Sequence, residues 1–220
     1  MRKIRTRKAI LSSLICNTLV WYDYALFGKL VDIISRLFFP SEDKYVSLIA
    51  TFGVFALGFL IRPVGASVFG HLGDKYGRRF ALMISIVSMS IPVAFMIFIP
   101  TYQAIGIAAP IMLIVSRLVQ GFSLGGEAGN ATFLIEHSED GKHRGLFGSF
   151  EVLSAVLGSV FSVIIVVSCE HIIGSEFEVW GWRIPFVFGF ILGLISIYIR
   201  CKTSESPEFE QAKEEDALFN

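Results

Sequence analysis

Gly70-His71-Leu72-Gly73-Asp74-Lys75-Tyr76-Gly77-Arg78-Arg79 separates two long apolar runs in a chain of 220 residues. Its glycines permit sharp turns and close helix approach. Its basic residues suit helix ends and hold a loop on the cytoplasmic side of a bilayer. On physical grounds alone the decapeptide reads as a charged loop that sets orientation. A bilayer core about 30 Å thick needs roughly 20 apolar residues per crossing helix. Outward from the loop, runs of that length cover Ile10 to about Leu37, Val46 to Leu72, Phe80 to Ile99, Ile105 to Glu136, Leu146 to Ser168 and Trp182 to Arg200. The first and fourth exceed a span, so their ends project or tilt. The expected fold class is all-α integral membrane, with six transmembrane helices.

Composition supports this reading. Apolar residues make up 54% of the chain and charged residues 17%, with 21 Phe, where a soluble domain carries about 25% charged residues. Disorder, collagen and disulfide scaffolds are excluded by the apolar content, the aperiodic glycines and the 3 cysteines. A net charge of zero argues against nucleic acid as a partner. Met1 to Lys8 followed by an apolar stretch could suggest a signal peptide. Trp21-Tyr22-Asp23-Tyr24 follows without a small-residue cleavage site, which argues against it.

With both termini cytoplasmic, that side holds thirteen of the 19 Lys and Arg, and the outer side holds Lys29, Arg36, Lys44 and Arg183. The asymmetry predicts both ends inside. The organisation expected is a basic N-terminus at 1-9, a six-helix bundle at 10-200 and a cytoplasmic linker or tail at 201-220, rich in Glu.

The decapeptide also resembles the signature G-x-L-a-D-r-x-G-r-[KR] of the major facilitator superfamily at nearly every position. Arg117-Leu118-Val119-Gln120-Gly121 with Gly125-Gly126-Glu127 is similar to the fourth-helix R-x-x-Q-G…G-G-E pattern of sugar porters and metabolite:proton symporters. Trp21-Tyr22-Asp23-Tyr24, Phe59-Leu60-Ile61-Arg62-Pro63, Trp180-Gly181-Trp182-Arg183-Ile184-Pro185-Phe186 and Glu205-Ser206-Pro207-Glu208-Phe209 resemble the proline/betaine transporter branch. The likeness covers roughly residues 9 to 210.

The resemblance implies the N-terminal half of a fold built from two six-helix halves rocking around a central site. It implies transport of a small organic solute with a proton, across a bacterial inner membrane. It names no cofactor beyond the proton gradient and no enzymatic activity. The expected partners are solute, proton, lipid bilayer and a C-terminal six-helix half. The sequence reading takes the chain as truncated or split. The alternative is a non-transporting membrane fragment or an interaction subunit of a split transporter.

Ionisable residues inside spans mark chemistry, because each costs at least about 2.5 to 3.5 kcal/mol at a helix centre unless paired or hydrated. Asp23 in span one and Arg117 in span four share a depth. A guanidinium beside a carboxylate stabilises its ionised form, and separating them favours protonation. The pair therefore reads either as a proton-coupling device, as the resemblance implies, or as a structural lock. Related symporters usually carry Glu three residues before the Asp, where this chain has Val20.

Asn17, Trp21, Gln120 and Glu127 are the candidate cavity residues, with Asn17 alternatively tying helices together and Glu127 alternatively a structural hydrogen-bond partner. Glu151 reads as a partner for the cytoplasmic network, and Arg62-Pro63 as a kink and helix anchor. Lys29, Asp32 and Arg36 share a helical face and read as a solvated outer extension of span one. By resemblance, Gly70, Gly73, Asp74, Gly77, Arg78, Arg79, Glu136 and Arg144 form a cytoplasmic gate; simple charge balance at the headgroups is the other reading. The four histidines lack ligand spacing, so no metal site is expected. The fifth span has no Gly-Pro pair of the kind drug-exporting antiporters carry, which favours uptake.

Overall fold

The computed structural model describes residues 2–127 and 144–202. In chain order the helices are α1 (Arg2–Lys29), α2 (Val31–Phe38), α3 (Lys44–Leu60), α4 (Arg62–Tyr76), α5 (Arg78–Phe98), α6 (Tyr102–Ile105), α7 (Ala108–Gly125), α8 (Arg144–Ile173) and α9 (Ile184–Cys201). Short 3-10 turns at Gly174–Phe177 and Gly181–Arg183 lead from α8 into α9. No strand occurs among the described residues.

Five stretches of the described residues are long and apolar enough to cross a membrane: Lys44–Tyr76, Arg78–Phe98, Ala108–Gly125, Gly148–Phe177 and Gly181–Cys201. They match spans two to six of the sequence reading. α1, a helix of 28 residues, reaches about 42 Å. Part of it is deeply buried. Asn17, Tyr22, Asp23, Leu26 and Phe27 are all 0 or 1% exposed. A helix wrapped by its neighbours can carry polar residues that a lipid-facing one cannot. The outward faces of the other spans carry Ile49, Phe52, Leu60, Ile111, Val115, Ile164 and Val167, an apolar surface suited to lipid.

Two boundaries differ from the expectation, and the break in span two falls at the expected Arg62-Pro63 kink. Span one bends at Leu30, where α2 begins, although Leu30 N–H still donates to Leu26 O at 3.0 Å and Ile34 N–H to Leu30 O at 2.9 Å. Span four starts at Ala108 rather than Ile105, because Gly106 adopts a φ of 58° and separates α6 from α7. Span two is broken at Ile61, with Pro63 in the first turn of α4. Proline fits a first turn because that turn's N–H groups have no intrahelical partner.

The turn between α4 and α5 depends on Gly77, whose φ of 104° and ψ of 149° few residues with a side chain adopt. Its N–H donates the last bond of α4 to Gly73 O at 3.0 Å, and α5 starts at once.

α1 packs on α8 and α9, α9 on α5, and α7 on α3, α4 and α5. Glycines set the closest approaches. A Cβ added at Gly121 would overlap the Gly58 carbonyl, one at Gly65 the Phe122 carbonyl, and one at Gly125 the backbone of Arg62 and Ala66. An apolar cluster includes Leu26, Phe27, Leu30, Phe38, Met96, Trp182 and Phe186. The Trp182 ring meets Phe38 edge-on at 5.9 Å and Phe186 at 6.1 Å.

An ion-pair strap joins α2, α3 and the turn before α9. Arg36 of α2 forks onto Glu178 at 2.9 and 3.1 Å and reaches Asp32 at 2.9 Å, while Lys44 of α3 meets Asp32 at 3.0 Å. The hydrogen bond from Lys44, helped by Arg36, holds the Asp32 carboxyl below its usual range, and Arg36 does the same for Glu178. A carboxyl whose pKa is lower folded than unfolded stabilises the fold above its unfolded value and loses that contribution as pH falls through the folded one. The side chains are about half exposed, so Arg36→Ala should cost no more than about 1 kcal/mol. Its thermal midpoint in detergent should fall below the parent's at neutral pH and converge with it below about pH 4. A gap that persists unchanged into acid would show that the strap is not electrostatic.

Candidate functional site

α1 delivers Asp23 and α7 delivers Arg117 to the same depth, with Arg117 Nη1 donating to Asp23 Oδ2 at 3.2 Å. They are 1% and 2% exposed. Arg117 Cζ lies 3.8 Å over the Phe27 ring, one α-helical turn beyond Asp23. The pair makes a single contact rather than the two-bond fork open to an arginine and a carboxylate. Asp23 Oδ1, Arg117 Nε and Nη2, and both amide atoms of Gln120 have no hydrogen-bond partner among the described residues. Asp23 Oδ1 can take a proton, and each of these atoms can bond a water or a solute group, without first breaking a protein contact.

Towards the C-terminal end of α7 is a cavity of about 370 Å³, lined by Trp21, Phe59, Arg62, Pro63, Ala66, Leu124, Gly125, Glu127 and Glu151; neither Asp23 nor Arg117 is part of this lining. Its walls come from α1, α3, α4, α8 and the C-terminal end of α7. Two carboxylates, a guanidinium and two aromatic rings face one space, a lining that can hold a small charged solute at both ends. Arg62 Cζ stands 5.5 Å from the centre of the Phe59 ring, so the break at Ile61 presents cation and ring together.

Of the four cavity residues expected from sequence, Trp21 and Glu127 line the cavity. Gln120 is 1% exposed on α7, in the turn before Leu124. Asn17 lies elsewhere: its amide nitrogen donates to Glu151 O at 3.0 Å and Ser154 Oγ at 2.7 Å, tying α1 to α8. This is the alternative that its residue type left open. Phe59, Arg62 and Glu151 belong to the wall and had been read as structural.

Arg200, counted with the loop charges, is 1% exposed and borders a space of about 10 Å³ with Glu127. A charge at a span end can point outward or fold back. The available signal was its place in the last turn of an apolar helix, and that signal does not choose between the two.

Between α4 and α5, Arg78 Nη2 lies 3.6 Å from Asp74 Oδ1 across the Gly77 turn. Arg79 donates to the Cys201 carbonyl, fastening the loop to the last turn of α9. A Cβ at Gly73 would meet the Arg78 side chain at 3.7 Å, whereas one at Gly70 would meet nothing within 4 Å. Glu136 lies outside the described residues, as does the side chain of Arg144.

The chain matches the family model described as sugar (and other) transporter over residues 9–217. It is 42% identical over 209 residues to the glycine betaine/proline/ectoine/pipecolic acid transporter of Dickeya dadantii, covering 94% of this chain and 42% of that one. It is 43% identical to the proline/betaine transporter of Salmonella typhimurium, with the same coverage. Among solved structures, a major facilitator superfamily proton:xylose symporter bound to 6-bromo-6-deoxy-D-glucose superposes with a TM-score of 0.85 at 16% identity, over 97% of this chain and 48% of that one. The inward-open xylose transporter of E. coli gives 0.77 at 18% identity, over 93% and 49%. The chain thus spans about half the length of the relatives it matches.

Proposed function

Because the chain belongs to the sugar (and other) transporter family, within the major facilitator superfamily, we propose that it is the N-terminal six-helix half of a proton-coupled symporter. Its solute is a small zwitterion or carboxylate, a class consistent with the glycine betaine and proline named for its relatives. The observation that carries the reading is the buried Asp23–Arg117 contact, in a bundle that also holds a cavity with charged walls. Asp23 takes and releases the proton; Arg117 stabilises the carboxylate between those events. Solute entering the cavity competes for the open guanidinium donors and frees the carboxylate to protonate. The chain acts as a carrier rather than a catalyst, in a bacterial inner membrane, with both termini cytoplasmic and the proton gradient as its energy source. A second six-helix bundle, on this chain or another, supplies the opposite wall of the solute path.

Uptake of glycine betaine into vesicles tests this when the chain is paired with the C-terminal half of a proline/betaine relative. Accumulation should require an inward proton gradient. Asp23→Asn should reduce it to background while leaving solute exchange measurable, since Asn preserves volume and can bond Arg117 but cannot carry a proton. Parent-like accumulation by Asp23→Asn would leave the pair as a structural lock only. Saturable uptake by the 220-residue chain alone would replace the second half with a second copy.

A further inference from the structure

Arg200 sits in the last turn of α9, where a count of loop charges places it in the cytoplasm, yet it is withdrawn from solvent. It borders the 10 Å³ space together with Cys16, Ser85, Ser123 and Glu127. Glu127 also belongs to the wall of the larger cavity, so one carboxylate stands between the two spaces. The smaller has room for about one water molecule. Neither serine hydroxyl points its proton at Glu127: Ser85 Oγ donates to Ser123 O at 2.6 Å and Ser123 Oγ to Val119 O at 2.8 Å.

The charged and titratable groups acting on Glu127 come from four elements: Tyr24 of α1, Arg62 of α4, Glu151 of α8 and Arg200 of α9. Glu127 and Glu151 face the same cavity, and two carboxylates in a poorly hydrated wall repel unless one binds a proton. A guanidinium buried inside a span is costly unless its charge is balanced. The Glu127 carboxylate, on the same small space, is one counter-charge to it.

We propose that Glu127 is a second proton-binding residue of this chain, distinct from Asp23, which exchanges its proton with cavity water on one side while Arg200 steadies its ionised form from the other. Protonation adds one proton from that water to a carboxylate oxygen; release returns it, and no bond of the chain breaks. The assignment extends the proton-coupled reading, but its readout requires no solute movement.

Infrared difference spectroscopy of the full chain in lipid, titrated from neutral pH to acid, follows protonated carboxyl groups directly. Glu127→Gln should remove one titrating component, Asp23→Asn a different one, and the double variant both. Arg200→Gln should enlarge the Glu127 component at neutral pH, and Arg200→Lys should bring it back towards the parent. A folded Glu127→Gln chain with the parent's band, or loss of the same component in Glu151→Gln instead, overturns the proposal. Parent-like behaviour in a folded Arg200→Gln chain overturns the part assigned to the guanidinium. Should Arg200→Gln fail to fold, the Glu127 and Glu151 variants still decide the proton's location, and Arg200→Lys decides the guanidinium's part: a component unlike the parent's supports it and an identical one overturns it.

Discussion

Replacing Arg117 by Ala should lower the stability of the bundle by about 3–5 kcal/mol, because it leaves the Asp23 carboxylate buried without its cation. Loss of the contact with the Phe27 ring adds to the effect. The neutral pair Asp23→Asn with Arg117→Gln should recover most of this loss, since exchanging a buried ion pair for uncharged groups of similar volume is often close to neutral. Thermal unfolding in detergent of the two single variants and the double gives the coupling energy. If Arg117→Ala lies within about 1 kcal/mol of the parent, water reaches the pair and the desolvation argument fails. This measurement separates the structural share of the contact from its share in coupling, which vesicle uptake reports.

Gly121→Val should abolish recovery of folded, monodisperse protein, and Gly121→Ala should cost at least the 1–3 kcal/mol or so typical of overpacking. The obstacle is backbone: a Cβ at this position would overlap the Gly58 carbonyl, and a carbonyl in a helix cannot rotate aside as a side chain can. Gly58 is itself held between Tyr24 Oη of α1 and the Arg117 carbonyl, which a Cβ there would meet at 3.4 and 3.5 Å. Moving α3 away from α7 would therefore disturb the neighbourhood of the ion pair. Gly53→Ala is the control, because a Cβ there meets nothing within 4 Å and alanine favours helix. Parent-like yield and midpoint for Gly121→Ala would mean that the helices are free to separate.

Much of this arrangement is legible in the sequence, and the reasons differ by residue. Apolar runs of span length exist because lipid leaves a helix no other solvent, so spans two, three, five and six appear in the sequence within several residues of their structural limits, while the expected end of span four at Glu136 lies outside the described residues. Asp23 and Arg117 are legible because charge deep in a span needs a partner, and each was the other's plausible one. Asn17 was not, because its amide serves a helix contact or a solute equally well and only the position of Ser154 decides. Arg200 was misplaced because topology counts position along the chain, whereas burial depends on what α7 and α8 bring to the end of α9. The bends at Leu30 and Gly106 were hidden inside continuous apolar runs, where hydropathy carries no information about backbone direction. The break at Ile61 was legible from Pro63.

That break has a mechanical consequence. An interrupted helix is ordinarily a place where a structure folds, yet both pieces of this one are fastened to the same straight neighbour. α3 seats on α7 at Gly58 and Gly121, α4 seats on it at Gly65 and Gly125, and the interruption falls between the two fastenings. α7 therefore acts as a splint across a fracture. The joint cannot flex unless one of the glycine seats is vacated, and each is closed to within the thickness of a backbone. Load applied at the loop between α4 and α5 should therefore pass along this braced pair as torque instead of being absorbed as bending, so that α3, α4 and α7 behave as one stiff lever.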